Sequence, residues 1–77
     1  MSSVQELAEK IEQADPGAEQ ADYVAVVLIS LEHLGLIEED VYRALMARQF
    51  DLPAVEERVG ALVREHFDAV LAYALED

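Results

Sequence analysis

Two adjacent pairs, Glu32-His33 and Glu65-His66, are the residues best suited by type to hold a metal or move a proton. Their spacing argues against a shared ion. Helical metal sites use Glu-x-x-His, because residues three apart share a face. Neighbouring residues on a helix diverge by about 100°, so neither pair can chelate one ion. His33 and His66 would have to meet in space beside an acid, and a metal site requires a ligand count and geometry that sequence does not display. The simpler expectation is that both histidines border the core and hydrogen-bond locally. The acid run Glu38-Glu39-Asp40 suits the start of a helix, where the helix dipole favours negative charge. The turn Asp15-Pro16-Gly17-Ala18-Glu19 lacks the alternating oxygen ligands and closing Glu of a calcium loop. Nucleophilic chemistry has no candidate: the chain has no Cys, Ser2 and Ser3 stand at its start, and Ser30 lies in an apolar stretch. Seventeen carboxylates offer acids and bases in abundance, yet no pair among them is singled out by its surroundings. We therefore expect no catalytic residue, no metal site and no cofactor, and a protein that is not an enzyme.

The elements that would carry these residues are helical throughout. A first helix is expected from Val4 to Ala14, with Ser3 as N-cap and Glu6 completing a capping box. Val4, Leu7, Ala8 and Ile11 give it an i, i+3, i+4, i+7 apolar face. Asp15-Pro16-Gly17 ends it. A second helix is expected from Glu19 to Leu34, with Gly35 as a left-handed C-cap and Leu36 as the apolar contact beyond. A third runs from Glu38 to Gln49. A fourth starts at Leu52-Pro53, capped by Asp51 or Leu52, with Phe50 stapled onto Val55. It is expected to continue to Leu75, about 36 Å at 1.5 Å per residue. Its stripe is Val55, Val59, Leu62, Val63, Phe67, Val70, Leu71 and Ala74. Gly60 within it is worth about 1 kcal/mol of helix stability relative to Ala, so it serves close packing or marks a bend. The fold class is all-α: a single domain over residues 1–77, four helices, the first three packed around a long C-terminal helix.

Two segments are more apolar than one core face requires. Tyr23–Leu31 is nine residues without a charge, and Phe67–Leu75 carries only Asp68. A surface helix needs an apolar stripe only about 100° wide, and a chain of this length has few neighbours to offer. We expect a homodimer through the second and fourth helices, with Val26 and Ile29 meeting Ala69, Ala72 and Tyr73. A domain this small buries only about 60% of its unfolded surface. Without disulfides, tight packing or association has to supply the rest.

The net charge is −12, unevenly spread: −9 over residues 1–40, +1 over 41–64 and −4 over 65–77. Such a field disfavours nucleic acid and anionic lipid and favours basic partners. Glu6, Glu9, Glu12, Asp15 and Glu19 form the densest acidic patch, which either keeps an apolar chain soluble or recruits a basic protein. No segment approaches the roughly 20 apolar residues that span a bilayer. The first residues lack the basic and apolar regions of a secretory leader. We expect a cytoplasmic protein, and the excess of Arg over Lys with no Asn or Thr suits a GC-rich bacterial genome.

Gly17-Ala18-Glu19-Gln20-Ala21-Asp22 resembles the Gly-Ala-Asp-Ser-Leu-Asp signature that opens the second helix of acyl carrier proteins, as do the small size and acidity. The likeness spans six residues. It would imply a phosphopantetheine arm on the residue at position 20. Gln20 has no hydroxyl to carry one, and the loop before it is shorter than in that family. The functional expectation is an acidic protein-interaction module, an adaptor, inhibitor or regulator acting by binding. The alternatives are an acidic nucleic-acid mimic or immunity-type protein that occludes a basic site, and a carrier-like or small enzyme subunit.

Overall fold

The computed structural model describes residues 2–14, 17 and 20–76. They form five helices: α1 (Ser3–Ala14), α2 (Gln20–His33), α3 (Glu39–Met46), α4 (Leu52–Glu65) and α5 (Phe67–Leu75). The expected fourth helix is thus two. His66, at φ −113° and ψ 26°, interrupts it. Gly60 does not bend the chain, and no Pro or Gly marks the break. Its cause is tertiary. A straight helix would project about 36 Å, whereas the longest dimension of the fold is 28 Å. Turning at His66 lays Val70 into the core and brings Phe67, Leu71 and Ala74 against it.

The centre is α1, not the C-terminal helix as expected. It packs against α2, α4 and α5, while α3 packs on α2. Val4, Leu7, Ala8 and Ile11 are all buried, as their spacing requires. On α2, Tyr23, Val24, Val27, Leu28 and Leu31 are buried on more than one side. The broad apolar surface of α2 is explained first by its own chain: α1, α3 and α5 all pack on it. Ser30, buried within it, donates its hydroxyl proton to the Val26 carbonyl at 2.8 Å and so leaves no polar group unsatisfied. The helix ends in a Schellman motif. Leu36 N–H donates to Leu31 O at 2.9 Å and Gly35 N–H to Glu32 O at 3.0 Å. Gly35 takes the left-handed φ of 76° that this motif needs.

Two local expectations are corrected. The third helix stops at Met46 rather than Gln49, and residues 47–50 form turns. Phe50 does not staple onto Val55: it is 80% exposed, while Val55 is fully buried by other contacts. Asp51 is the cap of α4, accepting from Ala54 N–H at 3.3 Å.

The start of α1 differs by one residue, and a distant side chain completes it. Ser2, not Ser3, accepts from the Gln5 N–H at 3.1 Å. Ser2 Oγ in turn donates to Glu56 Oε1 at 2.9 Å, and the Val4 N–H donates to the same oxygen at 2.9 Å. The Ser3 N–H lies near enough to favour the charged form of Glu56. A helix leaves its first N–H groups without intrahelical partners. Here Glu56 on α4 answers the Val4 N–H directly and holds the Ser2 hydroxyl that answers Gln5. Gly60, one turn on and buried, makes room: a Cβ there would overlap the Glu56 carboxylate. Partial burial by itself would raise the Glu56 pKa. The bonds from Val4, Ser2 and Ser3, aided by Arg64, outweigh it and hold the carboxyl below its ordinary value.

Four substitutions test this packing. Leu31→Ala, at a fully buried site, should cost about 2–5 kcal/mol by cavity formation. Phe67→Ala, only half-buried, should cost less in the same urea titration. Glu56→Gln should cost on the order of 1 kcal/mol at neutral pH, the scale of a lost cap. A depressed pKa contributes stability above the unfolded value, 4.5, and loses it as pH falls through the folded one. The gap between Glu56→Gln and wild type should therefore be full at neutral pH and close as pH falls below 4.5 and through the lower folded value. Gly60→Ala should be near neutral in the wild type, because about 1 kcal/mol of helix propensity is offset by eviction of the Glu56 carboxylate. In a Glu56→Ala background the same change should stabilise by about 1 kcal/mol. Additive effects in that double-mutant cycle would contradict the arrangement.

Candidate protein-interaction surfaces

Of the expected interface residues, Val26 and Tyr73 are half-buried, while Ile29, Ala69 and Ala72 are exposed. Packing of α5 on α2 brings the two sets onto adjoining helices. A hydrogen bond joins them, His33 Nδ1 to Tyr73 Oη at 2.8 Å, with ring centroids 6.0 Å apart and inclined at 56°. Ala25, Val26 and Ile29 follow one side of α2; Ala69, Ala72 and Tyr73 follow one side of α5. None of these six carries a charge. His33, at the end of the strip, lies 3.8 Å from Glu32 in an exposed ion-pair geometry, an arrangement worth little in water. His66 and Glu65 stand at 4.0 Å in the same way. Among the described residues no three His, Asp or Glu side chains come together as a metal site. His33 is engaged with Tyr73 instead.

The acidic patch is partly visible. Glu6, Glu9 and Glu12 are exposed on the outer side of α1, and Gln5 Nε2 donates to Glu9 Oε2 at 3.4 Å. Asp15 and Glu19 lie outside the described residues, as do Ala18 and Pro16. The side chains of Gln20 and Asp22, on which the carrier-like signature depends, also fall outside them.

A further surface escaped the sequence reading. An open groove of about 560 Å³ runs between α3 and α4, lined by Val41, Ala44, Leu45 and Arg48 on one side and Ala54, Glu57 and Arg58 on the other. Val41, Ala44 and Leu45 on α3 have i, i+3, i+4 spacing, as do Ala54, Glu57 and Arg58 on α4, while Arg48 lies in the turn after α3. Ala44 and Ala54 leave the groove unfilled where longer side chains would close it. The signal was present as small residues on stripes read only for their large ones. Arg48 is paired with Asp51 at 2.8 Å, and Arg43 with Glu39 at 3.2 Å. Arg58 is exposed and has no ion pair among the described residues.

Comparison with protein-family models, curated proteins and solved structures finds no match to this chain. Among the described residues no helix is long and apolar enough to cross a membrane.

Proposed function

We propose that this chain acts by binding, as a small acidic interaction module that pairs with a second copy through the α2–α5 face. The observation that carries the reading is the uncharged strip of Ala25, Val26, Ile29, Ala69, Ala72 and Tyr73 on a molecule of net charge −12. Two such molecules repel over most of their surfaces. They can approach closely where no carboxylate must be buried. Ile29 is 37% exposed, so covering it is worth only part of the roughly 1.5–3 kcal/mol of burying a fully exposed large apolar side chain. The small alanines on α5 let a second helix come near. Adaptor, inhibitor and regulator are all compatible with such a module. No arrangement of nucleophile, base and oriented partner among the described side chains favours catalysis.

The exposed Glu6, Glu9 and Glu12 on α1 support a second reading, occlusion of a basic protein site. The two readings respond oppositely to salt. Self-association of like-charged chains should tighten as salt screens their repulsion. Capture of a basic partner should weaken.

Sedimentation of the full chain at about 100 μM, a concentration that registers micromolar affinity, is the test. We expect a species of twice 8.6 kDa whose population rises with salt. Ile29→Glu should return it to 8.6 kDa with unchanged helical circular dichroism. A species of 8.6 kDa at every salt concentration would overturn the pairing.

A further inference from the structure

The groove between α3 and α4 is unexplained by the α2–α5 face. Val41, Ala44, Leu45 and Ala54 give it an apolar part, and Arg48, Glu57 and Arg58 a charged one. Two features specify an occupant. The first is shape. Both walls are helices, and Val41, Ala44 and Leu45 on α3 have i, i+3, i+4 spacing opposite Ala54 on α4, which suits a third helix laid between them. The second is charge. Residues 41–64 carry every arginine of the chain, and Arg58 has no carboxylate in ion-pair range among the described residues. Glu57 beside it also lines the groove. Arg48 is already answered by Asp51, so Arg58 is the cation left for a ligand. Phe50, 80% exposed in the turn joining the two walls, adds an aromatic surface of the kind that recurs at interfaces.

We propose that this groove binds an amphipathic helix of another protein, its apolar side chains on Val41, Ala44, Leu45 and Ala54 and a flanking carboxylate on Arg58. The inference is independent of self-association. The binding mode is helix-in-groove, read through anchors at i, i+3, i+4 and i+7. The aliphatic stem of Arg58 would cover part of the apolar contact while its guanidinium reaches the carboxylate.

The probe is a synthetic helical peptide of about four turns, roughly 14 residues, with Leu at i, i+3, i+4 and i+7 and Glu on the flanks. A second peptide carries Lys in place of each Glu. Each is titrated into the isotope-labelled full chain, and into Ile29→Glu, while amide shifts are followed by NMR. The Glu peptide should move resonances of residues 41–48 and 54–58 in both proteins and leave Ala25, Ile29 and Ala72 unmoved. Arg58→Glu should weaken it about tenfold, on the scale of one charge-assisted bond, and should improve binding of the Lys peptide. Phe50→Ala, at a site too exposed to matter for stability, should also weaken the Glu peptide. Absence of binding, equal binding of the two peptides to the wild type, or shifts confined to the α2–α5 face would each overturn the proposal. None of those outcomes bears on the sedimentation result, so the two readings fail separately.

Discussion

The carboxylate of Glu56 gathers the Ser2 hydroxyl and the first N–H groups of α1 onto α4. Much of the architecture depends on that bond set. Because α1 touches α2, α4 and α5, its axis sets the positions of three other helices. A helix end is where such an element would otherwise be free to fray. Glu56 fixes the end, and the buried apolar face of α1 fixes the rest. Gly60 is part of the same device, since its missing side chain is the space the carboxylate occupies.

The regular elements were legible because each obeys a local rule. Val4, Leu7, Ala8 and Ile11 announce a helix face by spacing alone. Gly35 and Leu36 announce the end of α2 by the backbone conformation that only glycine adopts cheaply. The break at His66 was not legible, because nothing local causes it. Beyond Pro53 in the first turn, residues 54–75 hold no proline and only one glycine, and that glycine is in the wrong place. What breaks the helix is the apolar surface of Phe67, Val70 and Leu71, which can be buried only by turning back. The cap of α1 was half legible. Serine before an apolar run signals a start, but Glu56 lies 52 residues from Val4, and no spacing rule connects them.

The candidate surfaces show the same division. Val26, Ile29, Ala69, Ala72 and Tyr73 were grouped because their helices are more apolar than one core face needs; Val26 turns out to pack against the core. The packing of α5 on α2 and the bond between His33 and Tyr73 belong to tertiary structure, and no local spacing announces them. The groove was missed because alanine contributes little to a hydrophobic pattern, and the shape it creates exists only once α3 and α4 are placed. Charge is informative here through its distribution. The arginines gather on residues 41–64, so a molecule acidic as a whole is locally balanced along α3 and α4.

The long reach of the Glu56 cap also orders events during synthesis. The ribosome makes α1 before the other helices, yet its leading N–H groups must stay bonded to water until residue 56 has been added and α4 has begun to form. A nascent chain that has completed α1, α2 and α3 holds most of the core residues and lacks the group that anchors the first of them. Contacts between residues so far apart in the chain slow folding relative to local ones. The start of the first helix therefore waits through most of translation for its Glu56 cap, which closes only when the fourth helix arrives.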